Sequence, residues 1–126
     1  MGIRAGHRAD HVALGGAAPP SRVIHKAEEI GFRITHLYGL TETFGPSTLC
    51  VPQPEWQQLP LEERAVKMSR QGVPTHGLDE VAVLDMVSGA PLPADGDTMG
   101  AICIRGNTVM KGYLKNEEAT AGPFYP

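Results

Sequence analysis

The sequence predicts an α/β fold: a βα portion with a mixed sheet, followed by a β-rich portion. Three observations predict it. Between His11 and Tyr38 a short apolar stretch, a glycine- and proline-rich loop, a helical pattern and a second strand pattern follow one another, the order of a βαβ unit. After Gly72 the helical text gives way to strands and turns. Its 15 glycines and 11 prolines cut the chain into short elements without reaching the composition of a disordered one.

The elements follow in order. Residues 1–10 carry Arg4, His7, Arg8 and Asp10 without periodicity and read as a dangling end. His7 and His11 sit at i, i+4, but no third ligand is near and no apolar stripe supports a helix, so a solvated terminus is the better reading. His11-Val12-Ala13-Leu14 is a strand that runs into Gly15-Gly16-Ala17-Ala18-Pro19-Pro20, a loop whose backbone a ligand can approach closely. Pro20 and Ser21 open a helix with Val23, Ile24, Ala27 and Ile30 at helical spacing, and Gly31 stops it. Phe32-Arg33-Ile34-Thr35-His36-Leu37-Tyr38 alternates as a strand. The loops at residues 15–20 and 39–46 then both lie at carboxyl ends of strands, where α/β sheets gather ligands.

Pro52, Pro54 and Pro60 make the next stretch irregular. Residues 61–68 contain good helix formers, with Glu62, Glu63, Arg64 and Lys67 read as a solvated face. Residues 80–85 and 99–105 are strands of a hairpin with a long tip, and Asn116-Glu117-Glu118-Ala119-Thr120 is the first turn of a helix. The organisation expected is a poorly defined segment at 1–13, a βα portion at 14–72 and a β-rich portion at 73–126.

A formal net charge of −3 supplies no basic footprint for nucleic acid. No apolar run reaches membrane-spanning length. Cys50 and Cys103 stand apart and suggest neither a disulfide framework nor a zinc site. No targeting signal is legible: the first residues lack a signal-peptide core, and Phe124-Tyr125-Pro126 is no peroxisomal address.

Tyr38-Gly39-Leu40-Thr41-Glu42-Thr43 holds the parts of a nucleotide site. A ring can stack on a base, the hydroxyls of Thr41 and Thr43 can donate to phosphate oxygens, and Glu42 can ligate Mg²⁺, a hard cation that prefers oxygen. The same residues also fit a surface turn whose threonines cap local backbone. The loop at 15–20 lacks the Lys-Ser/Thr pair of a P-loop and fits an ordinary turn into a helix. Arg105 reads as an anion contact or a strand-end charge.

The order of three blocks carries a resemblance. Gly15-Gly16-Ala17-Ala18-Pro19-Pro20, then Tyr38-Gly39-Leu40-Thr41-Glu42-Thr43, then Gly100-Ala101-Ile102-Cys103-Ile104-Arg105-Gly106 leading to Val109-Met110-Lys111-Gly112-Tyr113, resembles the AMP-dependent synthetase and ligase superfamily. With Pro54-Glu55-Trp56 and Leu59-Pro60-Leu61-Glu62-Glu63-Arg64 beside it, the texture is most similar to plant acyl-activating enzymes of the butyrate- and benzoate-CoA ligase kind. The resemblance implies part of an adenylation domain whose parent enzyme converts a carboxylic acid and Mg-ATP to an acyl-adenylate and passes the acyl group to CoA. It implies that Gly16, Ala17 and Ala18 line the adenine and acyl pockets, that Tyr38 stacks on adenine, and that Gly39 and Leu40 shape the neighbouring wall. Thr41 would bond the α-phosphate and Glu42 would hold Mg²⁺, making these two the catalytic pair. The block around Arg105 and Gly112 is implied to be scaffold. The cofactors and partners implied are ATP or AMP, Mg²⁺, CoA and a small carboxylic acid, in the cytoplasm or peroxisome.

The sequence departs from that pattern in places. Ala101 stands where the family usually has Glu, and the strand before Gly15 is short. The chain contains neither a Thr/Ser/Gly-rich phosphate loop ending in Lys nor the Thr-Gly-Asp that would grip the ribose. The expectation is a fragment that alone gives no acid-dependent ATP–pyrophosphate exchange. The alternatives are another adenylating chemistry, luciferase-like or carrier-protein-loading, and a non-enzymatic truncated or nucleotide-binding remnant.

Overall fold

A computed structural model describes residues 10–122. His7 and the rest of the expected dangling segment before Asp10 lie outside the described residues, as do Pro123 and Pro126. The order is β1 (His11–Leu14), α1 (Ser21–Glu29), β2 (Arg33–Leu40), β3 (Gly45–Cys50), α2 (Leu61–Met68), β4 (Val73–Pro74), β5 (Glu80–Leu84), β6 (Ala101–Arg105) and α3 (Glu117–Ala121). Two 3₁₀ turns, Thr41–Thr43 and Pro54–Gln58, punctuate it. The sheets are β1-β2-β3-β4 and β5-β6. The α/β class with a mixed sheet is the one expected.

Two compact units divide the chain: Met1–Tyr38 with Thr48–Val73, and Gly39–Ser47 with Pro74–Pro126. In the first, β1 and β2 pair in parallel, from His11 beside Arg33 to Leu14 beside His36, with α1 as the crossover. This is the βαβ unit read from the sequence, and His11 lies on its first strand. The unit's core is small: Ile24, Ile34, Ala65 and Met68 are buried, with Val12, Leu14, Ala27 and Trp56 packed against them.

The helical stripe is narrower than its spacing suggested. Ile24 is 0 % exposed, whereas Val23 is 52 % and Ile30 is 59 % exposed. Adjacent residues on a helix point about 100° apart, so Val23 and Ile24 cannot both face one core. Ile30 already lies past the end of α1, at its C-cap. On β2 the inward face carries Ile34 and, against the hydrophobic rule, His36, which is 1 % exposed. Its Nδ1 lies 2.8 Å from the Arg70 carbonyl. A carbonyl only accepts, so Nδ1 carries the proton and the buried ring is satisfied.

On α2, Glu62 and Glu63 are exposed as expected, but Arg64 is a correction. It reaches back to α1, where its Nη2 and Nε lie 2.8 and 2.9 Å from Glu28 Oε2. Lys67 lies 5.9 Å from the centre of the Trp56 ring. Two of the four charges read as solvated therefore tie helix to helix and helix to aromatic. Cys50 is buried with its Sγ 3.4 Å from the Lys67 carbonyl, and burial pushes its thiol pKa up. Both cysteines are free.

In the second unit β5 and β6 form the expected antiparallel hairpin, registered from Glu80 beside Arg105 to Leu84 beside Ala101. Arg105 Nη2 is 3.0 Å from Glu80 Oε2, a cross-strand pair with both side chains exposed. That settles Arg105 as a strand-end charge here. Two aspartates build the hairpin tip: Asp85 accepts from the amides of Val87 and Ser88, and Asp95 from those of Asp97 and Thr98. Asn116 caps α3 by accepting from the Ala119 amide at 3.0 Å. No helix among the described residues is long and apolar enough to cross a membrane.

Candidate functional site

The loop read at residues 39–46 is tighter than expected. Gly39 and Leu40 are the last residues of β2, and Gly45 and Pro46 already belong to β3, so only Thr41–Thr43 and Phe44 turn the chain. So short a connection joins the two strands antiparallel. At Gly39 the strands press close together: a Cβ there would lie 2.0 Å from the Gly45 carbonyl oxygen. No other residue fits without moving backbone. Phe44 holds a left-handed conformation at φ 58 and leaves its ring 87 % exposed, an uncommon combination for a bulky residue.

Thr43 is the pin of this turn. Its hydroxyl accepts from the Leu40 amide at 3.1 Å and from Ser47 Oγ at 2.9 Å. The carbonyls of Leu40 and Gly45 lie 3.0 and 3.2 Å away as acceptors for its own proton. Thr43 is 6 % exposed. Its reading as a phosphate donor is therefore corrected: buried and fully used locally, it holds the turn's shape. Thr41, by contrast, is exposed.

Glu42, between them, is fastened at two points. Its carbonyl accepts from the Met110 amide at 2.8 Å, and its Oε1 accepts from the Tyr113 hydroxyl at 2.7 Å. The Tyr113 bond is the main reason the Glu42 carboxyl titrates below its ordinary range, with its own backbone helping. The same bond pushes the Tyr113 phenol up. The turn thus presents a carboxylate, an acceptor-only group, alongside the exposed Thr41 hydroxyl. In the sequence Tyr113 only closes the third motif block, which the resemblance implies to be scaffold. Its partner lies 71 positions upstream, so no local spacing reveals the bond.

In the first unit, residues 15–18 are an exposed loop after β1, and Gly16 sits at φ 96. A Cβ at Gly15 would lie 2.3 Å from Leu37 Cδ1, so this loop packs closely on β2. Tyr38 is half-buried. Among the described residues no group of three or more His, Cys, Asp or Glu could hold a metal ion by itself. A lone carboxylate fits Mg²⁺ well enough, because that ion characteristically takes one or two carboxylates and completes its shell with substrate phosphates and water.

Comparison with known proteins fixes the lineage. The family model for AMP-binding enzymes matches residues 4–114. The chain belongs to the AMP-binding enzyme family. Among curated members, it is 52 % identical over 114 residues to a peroxisomal acetate/butyrate–CoA ligase of Arabidopsis thaliana, covering 90 % of this chain and 20 % of the relative. It is 50 % identical over 114 residues to an acetate–CoA ligase of Humulus lupulus, with the same coverages. The chain thus spans about a fifth of the length of these relatives. The O-succinylbenzoate coenzyme A synthetase of Bacillus subtilis, solved in complex with ATP and magnesium ion, superposes with a TM-score of 0.68 at 25 % identity. That match covers 91 % of this chain and 21 % of the synthetase. The family and the fold are those implied by the three sequence blocks.

Proposed function

We propose that the chain contributes to an ATP-dependent acyl-CoA ligase, supplying residues that handle the nucleotide and its α-phosphate. In that reaction a carboxylate oxygen of the acid attacks the α-phosphorus of ATP. The bond to the β-phosphate oxygen breaks and pyrophosphate leaves. The CoA sulfur then attacks the acyl carbon, its proton is lost, and AMP departs with the bridging oxygen. The names of the Arabidopsis and hop relatives support acetate and butyrate as the first acids to test. The Arabidopsis name also supports a peroxisomal site of action over a cytoplasmic one.

One observation carries this reading: Glu42 stands on a tight turn at the end of β2 with one carboxylate oxygen held by the Tyr113 hydroxyl at 2.7 Å. On this proposal Glu42 holds Mg²⁺ and the exposed Thr41 hydroxyl donates to the α-phosphate. Bound there, the cation would neutralise charge on the phosphates. A placed hydroxyl adds a donor where charge develops, and it needs no reorganisation during the reaction. Tyr38 stacks on adenine, Gly39 and Leu40 shape the adjoining wall, and Gly16, Ala17 and Ala18 line the adenine and acyl pockets. Glycine and alanine suit that last task, since they leave the backbone open to close approach.

The test is titration of AMP and of Mg-ATP against wild-type chain and Glu42→Ala. Wild type is expected to bind Mg-ATP more tightly than the variant and to bind AMP equally in both. Equal Mg-ATP binding by the two proteins would remove the metal role from Glu42.

A further inference from the structure

Two contacts of Glu42 come from far along the chain, and the one made by a side chain, that of Tyr113, has no packing explanation. Tyr113 is 40 % exposed, so its ring is not anchored in a core. Its hydroxyl nevertheless lies 2.7 Å from Glu42 Oε1. The approach is built, because three further features hold Tyr113 there. The Met110 amide donates to the Glu42 carbonyl at 2.8 Å, fixing the strap at residues 110–113 against the turn. The Tyr113 amide donates to Thr120 Oγ1 at 3.0 Å, and that hydroxyl donates to the Asn116 carbonyl at 2.7 Å. Gly112, at φ 151, lets the strap pass: a Cβ there would sit 2.6 Å from Thr120 Cγ2. A segment far downstream is thus anchored at both ends of its contact with Glu42, with the phenol as the only side-chain hydroxyl it offers the carboxylate.

We propose that Tyr113 is a positioning residue for Glu42: by pinning Oε1 it fixes the direction in which the carboxylate meets a divalent cation. The inference rests on the reading of Glu42 as the metal-holding residue. A carboxylate on a flexible side chain otherwise samples several rotamers, and ordering it has a cost in side-chain entropy at the moment of binding. A hydroxyl already bonded to one oxygen meets part of that cost in advance, as outer-shell partners of metal-binding carboxylates do. The remaining lone pairs of the group stay available, since an ionised carboxylate accepts at about four positions. Tyr113 does not touch the cation or the nucleotide on this account; it acts only through Glu42.

The experiment is a double-mutant cycle on the full chain. Free Mn²⁺ is followed by electron paramagnetic resonance in the presence of ATP, for wild type, Tyr113→Phe, Glu42→Ala and the double variant. Phenylalanine keeps the ring and removes only the hydroxyl. Tyr113→Phe is expected to weaken Mn²⁺ binding about tenfold, the lower end of what loss of an outer-shell partner costs. In the Glu42→Ala background the same substitution is expected to change nothing, because the group it orients is gone. A purely structural tyrosine would lower binding by the same factor in both backgrounds, and that result overturns the proposal. So does an unchanged affinity in Tyr113→Phe while Glu42→Ala binds more weakly, which leaves the metal reading of Glu42 standing. If Glu42→Ala binds as wild type does, or wild type binds no Mn²⁺, the underlying reading fails and the positioning role with it.

Discussion

Replacing Ile24 by alanine, with Val23→Ala as its partner, tests the packing of the first unit most sharply. The two residues are neighbours on α1, both aliphatic and both on the helical stripe that the sequence displays. Ile24 is 0 % exposed and lies in the buried cluster with Ile34, Ala65 and Met68, while Val23 is 52 % exposed. Truncating Ile24 removes three carbons at about 0.8 kcal/mol each, roughly 2.4 kcal/mol of transfer free energy. The void they leave adds to this, because β2 and α2 close on it only in part, which brings the total to about 3–4 kcal/mol. Val23→Ala gives up contacts that are already half solvated and is expected within about 0.5 kcal/mol of wild type. With a core this small, the Ile24 change takes a large share of a total stability on the order of 5 kcal/mol. Urea unfolding followed by far-ultraviolet circular dichroism measures both. Equal losses for the two variants, or a loss under about 1 kcal/mol for Ile24→Ala, would refute the packing described here.

Other outcomes follow from the same contacts. Thr43→Val strips the Leu40 amide and the buried Ser47 hydroxyl of their acceptor, so it should destabilise by about 1–3 kcal/mol, whereas Thr41→Val should leave the urea midpoint unchanged. Arg64→Ala removes the partner of Glu28, whose side chain is only 11 % exposed; because the arginine itself is partly solvated, about 1 kcal/mol is expected, recovered in part by Glu28→Gln. Asp95 is held down to about 2 by its bonds to Thr98 and Asp97. Its folded pKa lies below the unfolded value, so its contribution is complete above the unfolded range of about 4 and is lost as pH falls through about 2. The amide resonances of Asp97 and Thr98 should therefore shift with a midpoint near 2, and a midpoint near 4 would contradict the turn.

Much of the architecture was legible because it is local. The βαβ unit shows in hydrophobic spacing and in glycine and proline at element ends, and the hairpin of β5 and β6 shows in two short apolar runs parted by the turn residues at 88–91 and 95–97. β3 was not legible. Gly-Pro-Ser-Thr-Leu-Cys reads as a loop, since proline and small polar residues hide a strand whose buried positions are Ser47, Thr48 and Cys50 rather than large aliphatics. His36 inverted the alternation of β2 because a carbonyl 34 residues away satisfies it. Within the turn, Glu42 and Thr41 could be picked out by residue type, and a choice between phosphate donor and backbone cap for the threonines could not. That choice depends on burial: Thr43 is enclosed and Thr41 is exposed. Tyr113 was out of reach for the same reason as Arg64, since each finds its partner only through folding.

On the function proposed above, this segment does the work of the matching fifth of an acyl-CoA ligase, with Glu42 at its centre. A chimera tests it directly: residues 4–114 replace the matching stretch of the hop acetate–CoA ligase, and acetate-dependent ATP–pyrophosphate exchange is measured with and without Glu42→Ala. Exchange is expected in the chimera, with a loss of about a hundredfold or more in the variant, the scale on which removing one electrostatic contact to a transition state is felt. A folded chimera without exchange, or one whose exchange survives Glu42→Ala intact, would contradict it.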